Sequence, residues 1–130
     1  MNLLLDTHVL LWWIDGSKKL GLRAKGAMFK SGVSLWLSAA SAWELVIKFN
    51  AGRLKLGKPP EETIAQLIDS GFQSLPITVR HALAIGALPP LHADPFDRIL
   101  VAQAQCEGLT IVTVDPAITA YDVRTIDASV

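Results

Sequence analysis

Short runs that are apolar at nearly every position, and not only at every second one, constrain the fold of this chain most strongly. The clearest are NLLL at 2–5, VSLWLS at 33–38 and LTIVTV at 109–114, and two weaker runs are FQSLPI at 72–77 and VRTID at 123–127. Strands with this pattern are buried on both faces, which is typical of parallel sheets. Segments of helical length separate the runs. The alternation predicts an α/β fold in which helices cover both faces of a mostly parallel sheet.

Glycine and proline mark the ends of the helical segments. Gly52, Gly71 and Gly108 each close such a segment, where a C-terminal glycine is expected, and Asp94-Pro95 opens one. The predicted helices are THVLLWWI after the first strand, a helix near 22–31, SAWELVIKFNAG, PPEETIAQLIDSG, VRHALAIGA, DPFDRILVAQAQCEG and PAITAY.

Composition limits the class of protein. The 130 residues fit one domain, 1–130, that is long enough to bury a core, and 51% hydrophobic against 18% charged residues excludes a disordered chain. The single cysteine, Cys106, rules out an internal disulfide and cannot form a zinc site alone, so we expect a reducing, cytoplasmic location. Asp6 and Asp15 interrupt the N-terminal apolar stretch, which lacks a basic leader, so we expect neither a secretory signal nor a membrane span.

Charge is divided unevenly between the two halves of the chain, although the net charge is zero. Residues 1–60 hold nine of the twelve Lys and Arg and three acids, whereas residues 61–130 hold three basic residues and nine acids. This division allows a basic track beside an acidic pocket. A solvated surface without a ligand would have the same composition, so both interpretations stay open.

Each conspicuous carboxylate has a local explanation as a helix cap. Asp6 can cap the helix that begins near Thr7, and Asp115 can cap the last helix. SAWE has the form of a capping box, with Ser41 as the cap and Glu44 reaching back. Asp94 before a proline is also a natural N-cap. For any one of these residues considered alone, a helix cap is a commoner role than a metal ligand.

Considered together, four acids are predicted to converge. A helix that follows a strand of a parallel sheet begins at the carboxyl edge of that strand, so Asp6, Glu44 and Asp115 belong to one edge. The helix that begins at Pro95 runs antiparallel to the strand it precedes, which brings its first turn, with Asp97, to the same edge. Open α/β sheets bind their ligands at this edge.

The third acid position offers two aspartates, and helical periodicity favours one of them. Asp97 is followed at i+3, i+4 and i+7 by Leu100, Val101 and Ala104, an apolar stripe that turns Asp97 toward the body of the protein. Asp94 lacks this stripe and fits the cap better, so it is retained only as a candidate outer ligand.

Carboxylates that share one pocket repel each other, and their pKa values rise unless a cation compensates them. A set of oxygen ligands with no cysteine and no histidine at ligand spacing suits Mg²⁺ or Mn²⁺ better than zinc. Such an ion keeps water ligands and suits phosphodiester cleavage. Hydroxyls beside the acids, those of Thr7, Ser41 and Thr113, can orient ligands or waters, or can serve as plain caps and strand-end hydroxyls.

Three blocks of this sequence, LLLDTHVLLWW, LSAASAWELVIKFNAGRLKL and DPFDRILVAQAQCEGLTIVTVD, resemble the PIN-domain ribonucleases, specifically the VapC-type toxins of bacterial toxin–antitoxin pairs. The similarity extends from Met1 to about residue 126 and keeps the order and approximate spacing of the blocks. The resemblance implies a PIN-like three-layer α/β/α sandwich around a central sheet of four or five mostly parallel strands. It also implies a Mg²⁺- or Mn²⁺-dependent endoribonuclease whose acid quartet is Asp6, Glu44, Asp97 and Asp115.

The resemblance further implies an RNA substrate, a homodimer and a cognate antitoxin that covers the active site or its surroundings. In the favoured mechanism Asp6, Asp97 and Asp115 hold the ion that activates a water, and Glu44 holds a second ion or helps to deprotonate the water. Basic residues after the Glu44 helix, and Arg98 beside Asp97, are candidates for phosphate contacts, with solvated charge as the alternative. The candidate RNA-binding residues are Lys48, Arg53, Lys55 and Arg98, with Lys58 as a further neighbour.

Aromatic side chains are predicted mainly in the core. Trp36 lies in a strand and Trp43 follows a helix start, and we expect both inside. Trp12 and Trp13 are adjacent on a short helix, so one of them is a candidate for a dimer or antitoxin contact.

Two other classes of protein remain as alternatives. A receiver-like signalling module also binds Mg²⁺ through acids, but it needs an acidic pair after the first strand and a lysine after the last. Here Asp6 is followed by Thr7, and no lysine occurs after Lys58. The other alternative is a non-catalytic interaction domain in which the acids only cap helices.

Overall fold

Strands and helices alternate through the computed structural model, which describes residues 1–130. No helix is long and apolar enough to cross a membrane. The strands are β1 (Asn2–Leu5), β2 (Ser34–Ser38), β3 (Gln73–Leu75), β4 (Thr110–Thr113) and β5 (Thr125–Asp127). The helices are α1 (Thr7–Asp15), α2 (Leu22–Met28), α3 (Ala39–Asn50), α4 (Pro60–Asp69), α5 (Val79–Ala84), α6 (Pro95–Glu107) and α7 (Pro116–Thr119), with a 3₁₀ turn at Ile85–Ala87.

The five strands form one sheet in the order β3-β2-β1-β4-β5, and every neighbouring pair is parallel. This confirms the predicted α/β/α sandwich with a central parallel sheet. From β1 the chain first adds strands on one side, and later adds β4 and β5 on the other side. The strand order therefore reverses at β1. In sheets of this kind the crevice outside the carboxyl ends of the strands at such a reversal is the usual ligand site.

Both faces of the sheet are buried, as the uniformly apolar strands require. Leu3 and Leu5 point into one core layer and Leu4 into the other, and all three side chains are fully buried. The first layer includes Val9 of α1, and the second includes Leu100 of α6. Burying a leucine side chain of this kind stabilises the fold by about 2 kcal/mol. The two layers fix α1 and α6 against opposite faces of the sheet.

The start of α3 differs from the prediction. The helix begins at Ala39, two residues before Ser41, because the hydroxyl of Ser38 accepts a hydrogen bond from the Ala40 amide and caps it. The predicted capping box of Ser41 and Glu44 is therefore wrong. Both residues lie inside the helix, which frees their side chains to reach α1.

The tryptophans follow the predictions only in part. Trp36 is half-buried and packs against the second core layer, and Trp12 and Trp13 both pack against the first. Trp43 was expected in the core but is 60% exposed. Its ring packs against the Phe96 ring in a T-shaped arrangement, with 5.3 Å between the centroids. The neighbouring elements do not cover this side of α3.

Candidate metal centre

A cavity of about 70 Å³ lies at the carboxyl edge of the sheet and is lined by polar residues only. It brings together the four acids of the predicted quartet with Asp94, from segments that are distant in the chain. No hydrophobic side chain lines it. The lining residues are Asp6, Thr7, His8, Glu44, Lys48, Asp94, Asp97 and Asp115.

Asp6 both caps a helix and belongs to this cavity. Its Oδ1 accepts a hydrogen bond from the Val9 amide at 3.0 Å, which caps α1. Its Oδ2 accepts a hydrogen bond from the Thr113 hydroxyl. Burial raises the pKa of Asp6, and the charge of Asp115 raises it further, against the lowering effect of these hydrogen bonds. Capping and site membership are thus compatible, because the two carboxylate oxygens serve different purposes.

Glu44 is almost completely buried and is held by partners on both oxygens. Oε1 accepts a hydrogen bond from the Thr7 hydroxyl at 2.7 Å, and Oε2 forms an ion pair with Lys48 Nζ at 2.7 Å. Thr7 Oγ1 also lies 3.0 Å from Ser41 Oγ. A hydroxyl has a single proton. Since Thr7 uses its proton toward Glu44, Ser41 donates to Thr7, and the chain from Ser41 to Glu44 fixes the carboxylate.

Asp97 lies in the first turn of α6, where its Oδ2 is 3.0 Å from His92 Nε2. Burial raises the pKa of Asp97 to about 6, with further contributions from the charges of Asp94 and Asp115. Asp94 caps the same helix by accepting hydrogen bonds from the Phe96 amide at 2.8 Å and the Asp97 amide at 3.4 Å. The predicted assignment of Asp94 as the cap thus matches its geometry.

Asp115 completes the cavity from the end of β4. Its Oδ1 accepts from the Ala117 amide at 2.9 Å, and its own amide donates to Thr113 Oγ1 at 3.0 Å. Thr113 therefore contacts both Asp115 and Asp6. The predicted hydroxyls, those of Thr7, Ser41 and Thr113, all contact an acid of the cavity or a residue that does.

The expectation that no histidine lies at ligand spacing is wrong. His92, Asp94 and Asp97 each offer a donor atom, and these atoms lie within 4.8 Å of one another. Asp94 and Asp97 of this trio line the cavity together with Asp6 and Asp115, whereas His92 is not one of its lining residues. The segment HADPFD contains a signal for it, a histidine two residues before the cap aspartate. Its imidazole reaches Asp97, with Nε2 at 3.0 Å from Oδ2, and Arg98 holds the loop by donating to the carbonyls of Pro89 and His92.

The donor set fits a hard divalent cation. All four predicted ligands present carboxylate oxygens, which Mg²⁺ and Mn²⁺ prefer, and the imidazole at the rim is also acceptable to Mn²⁺. Burial and mutual repulsion raise the pKa values of Asp6 and Asp97, so the ionised cluster is costly by itself. A bound divalent charge offsets this cost.

The candidate phosphate-binding residues occupy different environments. Lys48 lines the cavity, whereas Arg53 and Lys55 are exposed in the segment after α3, outside the cavity. Arg98 lies outside it as well. The Arg98 guanidinium donates hydrogen bonds to the carbonyls of Ile85, Pro89 and His92 and to the Tyr121 hydroxyl, at 3.1 to 3.4 Å. These four internal acceptors give Arg98 an anchoring role and argue against the predicted phosphate contact.

The parallel sheet with helices on both faces, and the acids gathered where its strand order reverses, define an α/β domain with a candidate metal site. Within this class the family is specific: residues 3–124 match the PIN domain, and the chain belongs to the PIN domain family. This confirms the predicted resemblance and does not support the receiver-like alternative.

Three known proteins illustrate the relationship. Ribonuclease VapC22 of Mycobacterium tuberculosis (strain ATCC 25618 / H37Rv) is 30% identical over 121 residues, which are 92% of each chain. The structure of VapBC2 from Rickettsia felis, bound to a DNA fragment from its promoter, contains a chain with a TM-score of 0.73 at 13% identity, covering 97% of this chain and 98% of that one. A toxin–antitoxin complex from Klebsiella pneumoniae gives a TM-score of 0.65 at 20% identity and 96% coverage of both chains.

Proposed function

We propose that this protein is a Mg²⁺- or Mn²⁺-dependent endoribonuclease and the toxin of a toxin–antitoxin pair. The observation that carries the proposal is the convergence of Asp6, Glu44, Asp97 and Asp115 in one polar cavity of a PIN domain. The name of the relative, Ribonuclease VapC22, supports RNA as the substrate. We assign the whole of residues 1–130 to a single domain and a cytoplasmic location to the protein.

The acids divide into ion ligands and a proton acceptor. Asp6, Asp97 and Asp115 would hold the ion, which stabilises the negative charge that develops on phosphate oxygens during phosphodiester hydrolysis. Thr113 fixes the orientation of Asp6, and His92 fixes that of Asp97. Second contacts of this kind hold ligand carboxylates in one rotamer.

Glu44 is proposed to accept a proton from the attacking water, or to contact a second ion. In the first case the water oxygen would bond to phosphorus while the phosphorus–oxygen bond to the leaving nucleotide breaks. One proton of the water would pass to Glu44, and the leaving oxygen would take a proton from solvent. The Thr7 hydroxyl, itself held by Ser41, orients Glu44 for this transfer. Lys48, with Arg53 and Lys55 further along the chain, provides positive charge for the RNA backbone.

The protein is proposed to form a homodimer and to bind a cognate antitoxin. An apolar face supports the dimer: it consists of Trp43, Val46 and Ile47, which lie at i, i+3 and i+4 on α3 and are all exposed. Contiguous exposed apolar side chains of this size mark contact surfaces. The similarity to chains of the VapBC2 structure and of a toxin–antitoxin complex supports the antitoxin partner.

The proposal is tested by RNA cleavage with Mg²⁺ or Mn²⁺, with EDTA, and with the substitution Asp97→Asn. Cleavage should require the divalent ion and should fall by at least about a hundredfold in the variant, since a ligand is lost. Asp69→Asn is the matched control, because Asp69 is exposed at the end of α4 and lies outside the cavity. Cleavage that resists EDTA, or that persists in Asp97→Asn, would refute the metal mechanism.

The toxin role is tested separately by expression in a bacterial host. Wild-type protein should arrest growth, and Asp6→Asn should not. Co-expression of the small protein encoded next to it should relieve the arrest. Growth arrest that is equally strong with Asp6→Asn would contradict the assignment.

A further inference from the structure

Lys48 is the only lysine or arginine among the residues that line the acid cavity. Five carboxylates, those of Asp6, Glu44, Asp94, Asp97 and Asp115, share the cavity with it. His8 also lines the cavity, but Lys48 is its one side chain with a fixed positive charge. Lys48 therefore supplies the permanent positive charge that the chain itself places among these acids.

Lys48 contacts the acid Glu44, which is buried and lies on the same helix. Its Nζ lies 2.7 Å from Glu44 Oε2, and the Glu44 side chain is only 10% exposed while that of Lys48 is 35% exposed. Glu44 and Lys48 are four residues apart on α3, with the acid first, which is the favourable order for such a pair. The other oxygen of Glu44 is occupied by the Thr7 hydroxyl. Both oxygens thus have partners supplied by the chain.

Resting on the function proposed above, we infer that Lys48 is a competitive counter-ion of the metal centre: it neutralises Glu44 and competes with the divalent ion for the acid cavity. The Lys48 ammonium repels an ion held by the aspartates of the same cavity, and it cannot share Glu44 Oε2 at contact distance with an ion that contacts Glu44. Of the two contacts that hold Glu44, the one with Lys48 can be replaced by a contact with the divalent ion. Thr7 is buried and held by Ser41, whereas the lysine chain is flexible and partly exposed.

The exchange also accounts for the position of Lys48 on the rim of the cavity. When Lys48 is released from Glu44, its ammonium group remains near the cavity, because the side chain is still attached to α3. It then faces solvent beside the site where a phosphate of the substrate would enter. Lys48 is thus a positioning residue with two alternative partners, the Glu44 carboxylate and an RNA phosphate.

The experiment compares Mn²⁺ binding, measured by electron paramagnetic resonance of the free ion, in the full-length protein and three variants at fixed pH and ionic strength. Lys48→Gln removes the competing charge and should bind Mn²⁺ on the order of tenfold more tightly. Lys48→Arg keeps the charge and can hold a carboxylate through two hydrogen bonds, so it should bind Mn²⁺ about threefold more weakly. Lys58→Gln removes an exposed lysine outside the cavity and should match wild type.

A second experiment measures the melting temperatures of the wild-type protein and the variants. Without added ion Lys48→Gln should melt below wild type, because the buried Glu44 carboxylate loses its charge partner. Saturating Mn²⁺ should raise its melting temperature by more than that of wild type. If Lys48→Gln fails to fold without Mn²⁺, the Lys48→Arg comparison alone decides the inference.

Unchanged or weaker Mn²⁺ binding by Lys48→Gln would overturn the inference while leaving the proposed function intact. Tighter binding by Lys58→Gln to the same extent would also overturn it, because the effect would then be one of net charge. Failure of the wild-type protein to bind Mn²⁺ at all would instead refute the metal centre, and with it both proposals.

Discussion

Thr113 donates a hydrogen bond to Asp6, although the two residues are 107 positions apart in the chain. They meet because β1 and β4 are parallel neighbours in a register that pairs Leu5 with Val112. The next residue of each strand, Asp6 or Thr113, therefore reaches the same edge. Since Thr113 Oγ1 also accepts from the Asp115 amide, one hydroxyl connects two of the proposed ion ligands.

Replacing this hydroxyl should affect both stability and cleavage. Thr113→Val keeps the shape of the buried side chain but leaves a buried oxygen of Asp6 without a donor, which costs about 1–3 kcal/mol of unfolding free energy. RNA cleavage should also fall, because Asp6 is no longer held in one rotamer. Urea denaturation and cleavage rates measure the two effects. Thr110→Val, on the same strand and also buried, is the control and should retain cleavage.

Asp97→Asn is expected to stabilise the protein when no divalent ion is added. The pKa of Asp97 is raised to about 6 from an ordinary value of 3.8, so the folded state holds its proton more tightly than the unfolded state does. Stability of the wild-type protein contributed by this group is therefore greatest below about pH 4 and is lost as pH rises toward 6. At pH 7 the variant avoids this loss of stability, because the side-chain amide of Asp97→Asn carries no charge. A melting temperature below that of wild type at pH 7 would contradict this.

The same pKa makes metal binding depend on pH. A proton and a divalent cation compete for Asp97, so Mn²⁺ affinity should weaken as pH is lowered through about 6. Asp6, whose pKa is also raised, adds to the dependence. Titrations with Mn²⁺ between pH 5 and pH 8 test this dependence. The affinity should fall on the order of tenfold for each pH unit below the transition. Affinity that stays constant across this range would show that the carboxylates are already ionised.

The regular part of this site follows from sequence because topology fixes it. Asp6 and Asp115 each come directly after an apolar strand, and parallel strands bring their carboxyl ends to one edge. The stripe of Leu100 and Val101 likewise turned Asp97 inward, and both leucine and valine are fully buried. These expectations depended only on the spacing of apolar residues that is typical of strands and of helices.

Features that depend on the packing of irregular segments were not predictable in this way. The contact of His92 with Asp97 requires a particular loop path, which Arg98 fixes by donating to the carbonyls of Pro89 and His92. The exposure of Trp43 depends on which elements cover α3, and periodicity does not specify its neighbours. The SAWE pattern favoured Ser41 as the cap of α3, whereas Ser38 caps it, because the pattern does not specify at which residue β2 ends.

Arg98 gives a prediction about loop anchoring. Arg98→Ala removes four hydrogen bonds from a charged donor and should lower the unfolding free energy by about 2–4 kcal/mol. Because the loop carries His92, cleavage should fall as well. RNA affinity should not change, since Nη1 and Nη2 of the guanidinium are directed at acceptors inside the protein. A large loss of RNA affinity with unchanged stability would restore the phosphate contact that the sequence suggested. Anisotropy of a labelled RNA in EDTA measures that affinity.

The apolar face of α3 gives a prediction about assembly. Trp43 is exposed within the protomer, so Trp43→Glu should leave its fold and melting cooperativity intact while placing a charge in the proposed dimer interface. Sedimentation should show the wild-type protein as a dimer and Trp43→Glu as a monomer at micromolar concentration. Leu22→Glu is the matched control, because Leu22 is an exposed apolar residue on α2, outside this face. If Leu22→Glu dissociates the dimer and Trp43→Glu does not, the interface lies on another surface, and the exposed face of α3 is left for the antitoxin.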